Sequence, residues 1–112
     1  MATAQDYQSI ASLIQGGKAA EALSQLETIL SENPTDPTAL SMTGSAHLRA
    51  GDQDKAFTRF EAAISAHPQS FPAHADIAFA SMKCGMQARA LRHFIKATDI
   101  NPDFYPAWRF LE

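Results

Sequence analysis

The chain has 112 residues, 46% of them hydrophobic and 19% charged, with 5 Gly and 6 Pro. That is the make-up of one ordinary globular domain, and it excludes a disordered, collagen-like or low-complexity chain. A net charge of −3 gives no electrostatic reason to expect nucleic acid. One cysteine, Cys84, leaves no internal disulfide and fits a reducing compartment. The first ten residues hold no basic stretch followed by an apolar run, and no apolar run approaches the roughly 20 residues a bilayer span needs. A cytoplasmic protein without a membrane association is the expectation.

The spacing of Ile10, Leu13 and Ile14 predicts a first helix over residues 4–15, stopped at Gly16-Gly17, where glycine takes a left-handed conformation cheaply. Ala22, Leu23, Leu26, Ile29 and Leu30 make the apolar stripe of a second helix over 19–32, closed by Pro34. Asp36-Pro37 reads as the cap and first turn of a third helix running to about residue 50, and Gly51 ends it. Asp52 caps the fourth, with Asp54 in its first turn and a stripe of Ala56, Phe57, Phe60, Ala63 and Ile64 before Pro68. Helices near 72–84 and 87–100 follow, with breaks at Gly85 and Pro102, and a seventh opens at Tyr105-Pro106.

These elements recur with a period of 34 residues. The columns Leu40, Gly44, His47, Gly51, Ala56, Phe60, Ala63 and Pro68 return as His74, Ala78, Ser81, Gly85, Ala90, Phe94, Ala97 and Pro102, and before them as Asp6, Ile10, Leu13, Gly17, Ala22, Leu26, Ile29 and Pro34. The division is a first repeat over 3–36, a second over 37–70, a third over 71–104 and the start of a fourth over 105–112. A short link between antiparallel helices forces a close crossing. The small Ala22, Ala56 and Ala90 let the backbones approach, and Leu26, Phe60 and Phe94 fill the space one turn on. Charge grades along the repeats: one Lys against five acids in 3–36, three bases against three acids in 37–70, four against three in 71–104.

This pattern resembles the tetratricopeptide repeat, a 34-residue helix–turn–helix unit. The second copy carries its small, Ala, Phe and Pro signature at Gly44, Ala56, Phe60 and Pro68. The third does so at Ala78, Ala90, Phe94 and Pro102, with Ile77 in the family's Leu column. The first keeps Ala22 and Pro34 but has Asp6 and Ile10 where a large and a small residue are expected. Trp108 stands 34 residues after His74, in the family's Trp column. The resemblance implies an all-α fold, a right-handed α-solenoid of antiparallel helix pairs with about seven helices. It also implies that the first helix of each repeat lines a concave groove taking peptides or extended protein segments.

On the third helix, Leu40, Thr43, Gly44 and His47 form the face that packs on its partner. The other face and its equivalents supply the expected peptide-binding residues: Tyr7, Gln8 and Ile14 on the first helix, Met42, Ser45 and Arg49 on the third, Asp76, Phe79, Met82 and Lys83 on the fifth, and Arg109 beyond. Methionine and aromatic side chains suit an adaptable apolar cradle. The Lys, Arg and Asn set with which some family members hold a terminal carboxylate is missing, with Ala11, Met42, Ala75 and Phe79 in several of those columns.

Nothing in the sequence marks catalysis, a small-molecule substrate or a cofactor. The histidines His47, His67, His74 and His93 include no i, i+4 pair, so no metal site is expected. Cys84 lacks a basic activator beyond Lys83. Gly16-Gly17 lacks the Lys-Ser/Thr of a phosphate loop. Arg89, Arg92 and Lys96 read as a solvated stripe. The leading reading is a non-catalytic protein-interaction module. The alternative is an accessory N-terminal repeat domain of a larger enzyme, since such arrays resemble those preceding bacterial transferase domains. An uncapped last repeat suggests a fragment of a longer protein, able to form a homodimer through its C-terminal end.

Overall fold

The computed structural model describes residues 3–103. Six helices follow one another: α1 (Ala4–Gln15), α2 (Ala19–Glu32), α3 (Pro37–Arg49), α4 (Gln53–Ala66), α5 (Phe71–Lys83) and α6 (Gln87–Ile100), with no strand among the described residues. The expected seventh helix, with Trp108 and Arg109, lies outside them. α1, α2 and α6 begin and end where the sequence places them. α3 stops at Arg49, with Ala50 as its C-cap, and α5 starts at Phe71, one residue before Pro72.

The three short connections are one structure made three times. Gly17, Gly51 and Gly85 have φ of 80°, 86° and 78°. Each glycine N–H donates to the carbonyl three residues back (Ile14, Leu48, Met82), at 3.1–3.2 Å. The next N–H donates to the carbonyl five residues back (Leu13, His47, Ser81), at 2.8–2.9 Å. This double closure satisfies carbonyls the helix end leaves open, and it needs a left-handed residue, which is why glycine recurs with the period.

The helix starts are less uniform. Asp36 Oδ1 accepts from the Ala39 N–H at 3.1 Å, and Asp52 Oδ1 from the Lys55 N–H at 3.2 Å. Ser70 Oγ accepts from Ala73 at 3.4 Å. Thr3 and Asp6 exchange a reciprocal pair, Thr3 N–H to Asp6 Oδ2 at 2.8 Å and Asp6 N–H to Thr3 Oγ1 at 3.3 Å, which closes the N-terminus of α1. α2 and α6 follow Lys18 and Met86 and have no side-chain cap.

The chain divides into two compact units, residues 1–66 and 67–112. In the first, α1 packs on α2 and α3, α2 on α3, and α3 on α4. Ile10, Ala22, Leu26, Leu40, Ala56 and Phe60 are sealed in its core. The closest approach is at Gly44: a Cβ built there would lie 2.6 Å from Phe60 Cε1 and 2.8 Å from its Cδ1 and Cζ. In the second unit α5 packs on α6, with Ala78, Ala90 and Phe94 as a buried cluster beside Ile77. Buried hydroxyls are satisfied locally: Thr43 and Ser81 donate to the carbonyls of Ala39 and Ile77 at 2.7 Å, and Thr98 to that of Phe94 at 2.9 Å.

Candidate functional site

In the first unit, α1 and α3 lie side by side, and the residues expected to face a ligand divide. Gln8 and Arg49 are exposed, and Met42 and Ser45 are half-buried. Ile14 does not join them. It is 6% exposed and belongs to the core, because it stands one turn after the sealed Ile10 on the same stripe of α1.

Tyr7 is half-buried and already engaged: its hydroxyl donates to Asp36 Oδ2, while Oδ1 of the same carboxylate caps α3. The bond ties the first turn of α1 to the N-terminus of α3 and gives Tyr7 a structural part. Burial, then the Asp36 bond and the charges of Asp36 and Asp6, push the Tyr7 phenol from 10.0 up to about 12. A raised phenol favours the neutral ring in the fold, so its contribution holds below pH 10 and is lost as pH climbs toward 12. Tyr7→Phe is therefore expected to lower stability by about 1 kcal/mol at pH 7. It should also flatten the fall in urea midpoint between pH 10 and 12. Wild type and variant with parallel pH profiles would contradict the assignment.

In the second unit, α5 has most of its surface inside: Ala73, His74, Ile77, Ala78, Ala80 and Ser81 are buried. Phe79 and Met82, one turn apart, stand out at 38% and 41% exposure, with Lys83 beside them exposed and Asp76 half-buried. Phe79 is held edge-on against the buried Phe94, ring centroids 5.0 Å apart and planes at 83°, so the ring is fixed on that side.

The histidines contain what the sequence spacing missed. Burial pushes the His47 imidazole below 6.5, against the opposing pull of Asp52. His74 and His93, 19 residues apart on α5 and α6, come together with Nδ1 atoms 3.2 Å apart, and His74 Nε2 lies 3.0 Å from the Pro68 carbonyl oxygen. Among the described residues no three His, Cys, Asp or Glu side chains gather around one point, and no helix is long and apolar enough to cross a membrane.

Residues 38–70 match the family model of the tetratricopeptide repeat. A search of curated proteins finds no match. Among solved structures the fold is similar to that of MamA, a tetratricopeptide-repeat protein, with a TM-score of 0.79 at 19% identity. The match covers 91% of this chain and 60% of that one. The 34-residue helix period, the Gly44–Phe60 crossing and the glycine closures lie within and around the matched segment. Residues 38–70 are a tetratricopeptide repeat, and the helix pairs on either side of it share the fold of a tetratricopeptide-repeat solenoid.

Proposed function

We propose that the chain is a non-catalytic module that binds a peptide or helical segment of a cytoplasmic protein through the open faces of the first helices of its repeats. Tetratricopeptide-repeat domains serve protein–protein interaction in general. The observation that carries the finer reading is the pair Phe79 and Met82. An aromatic ring anchored on one side by Phe94 and a flexible methionine one turn on give an apolar contact that costs little side-chain entropy to use. Asp76 and Lys83 flank it with one charge of each sign. On α3, Met42, Ser45 and Arg49 offer a second apolar-to-basic face, with Gln8 of α1 in the same unit.

Peptides selected from a random library on the wild-type chain test this. Placing a carboxylate at Phe79→Glu is expected to weaken the selected peptides at least about tenfold, the loss of one well-packed anchor, and Met42→Glu by less. Both variants should keep their helical signal, since neither side chain is sealed. An unselective wild-type chain, or peptides that bind Phe79→Glu unchanged, would overturn the reading.

A further inference from the structure

We propose that the outer face of α6 is a docking site for an acidic amphipathic helix of a partner protein. The face lies on the second helix of its repeat, so it is separate from the first-helix faces proposed for peptide binding. Leu91 and Ile95, one turn apart, are 37% and 44% exposed, and Ala88 continues their stripe toward the start of the helix. Arg92 and Lys96, each the residue after one of the pair, are exposed beside them.

The 34-residue period shows how unusual this surface is. Leu91 stands in the column of Leu23 and Phe57, of which Leu23 is half-buried and Phe57 is 8% exposed. Ile95 stands in the column of Glu27 and Glu61, both exposed. The third copy thus puts a branched apolar side chain on a surface where the other two put a carboxylate. The packing of α6 on α5 does not call for it, because Ala90, Phe94 and Ala97 fill that core from another stripe.

The same columns in the first unit show what shape of occupant they take. α2, which carries Leu23, packs on α3, and its Glu27 pairs with Arg59 of α4 at 3.3 Å. This side of a second helix receives other helices, with an apolar contact and a charged one next to it. On α6 the sign of the charge is reversed. Ile95 replaces the glutamate, and Arg92 and Lys96 replace Ser24 and Thr58, and Thr28 and Ala62. Neither cation is in an ion pair among the described residues. The complement is a helix with an apolar stripe against Leu91 and Ile95 and carboxylates against Arg92 and Lys96. Asp99, exposed one turn past Ile95, keeps those carboxylates away from the C-terminal end of α6.

The test is NMR titration of the isotope-labelled full chain with a synthetic helical peptide of about 18 residues, leucine on one face and glutamate on both flanks. Saturable binding is expected, with the shifted amides centred on residues 91–96. Ile95→Glu restores the residue of the two earlier copies, so it should keep the helical signal and weaken the peptide at least about tenfold. Arg92→Glu with Lys96→Glu should weaken it too and remove its dependence on salt. A peptide with lysine for every glutamate should bind at least about tenfold more weakly. Phe79→Glu should leave the acidic peptide unaffected, which separates this face from the first-helix reading. No saturable binding, binding unchanged in Ile95→Glu, equal binding of the lysine peptide, or shifts centred on Phe79 and Met82 would overturn the proposal. So would a light-scattering mass that rises with concentration in the wild type and not in Ile95→Glu, since the face would then belong to a second copy of the chain.

Discussion

Phe60→Ala is expected to cost about 3–5 kcal/mol, the largest loss from any single truncation in the first unit. Phe60 is 2% exposed, its ring fills the space opposite Gly44, and Phe57 meets it edge-on with centroids 6.4 Å apart at 70°. Truncation removes the ring, leaves a void that the glycine opposite cannot fill, and forfeits the aromatic pair. That pair alone is worth about 0.5–1.5 kcal/mol. Leu26, in the same column of the first repeat, is fully buried too, but it has less volume to lose, and Leu26→Ala is expected nearer about 3 kcal/mol. Urea titration followed by helical circular dichroism measures both. Domains of this size hold only about 5–15 kcal/mol in all, so Phe60→Ala should shift the midpoint by about a fifth of its value or more. Equal losses at the two positions would mean that ring volume in the middle repeat does not govern the packing.

How much of this was legible in the sequence depends on whether the cause was local. Helix ends were readable because glycine and proline act on their own residue and its neighbours: Gly17, Gly51 and Gly85 have the positive φ that their place after a helix requires. Aspartate caps at Asp36 and Asp52 were readable for the same reason. The reciprocal cap of Thr3 and Asp6 was there to be read as a hydroxyl three residues before a carboxylate, with Asp in place of the commoner Glu. The first-helix faces were half-legible. Ile14 is four residues from Ile10, and that spacing alone assigns it to the core. The long-range pairs were not legible at all. Tyr7 reaches Asp36 across 29 residues, and His74 reaches His93 across 19. Both pairs exist because helices that pack side by side bring distant turns together, which no window of sequence displays.

Gly44→Ile is expected to cost about 3 kcal/mol, and Phe60→Leu made with it should return most of that loss. In an exposed mid-helix position, replacing glycine would gain about 0.5 kcal/mol from helix propensity alone, so a loss has to come from packing. The space is absent: even a Cβ at position 44 comes within 2.6–2.8 Å of three atoms of the Phe60 ring, and at 2% exposure the ring has nowhere to withdraw. Overfilling a core in this way costs about 1–3 kcal/mol, and isoleucine adds three more carbons than the methyl that already collides. The first repeat shows the other solution to the same geometry. There the columns of Gly44 and Phe60 are occupied by Ile10 and Leu26, both sealed at 1% and 0% exposure, a larger residue on the first helix matched to a smaller one on the second. The third repeat sits between, with Ala78 against Phe94. Gly44→Ile with Phe60→Leu writes the first repeat's pair into the second. A double-mutant cycle should therefore show a favourable coupling of about 1–3 kcal/mol between the two positions. Additive losses would mean that the columns fill independently, and that the small-for-large exchange along the repeats has no bearing on how each helix pair closes.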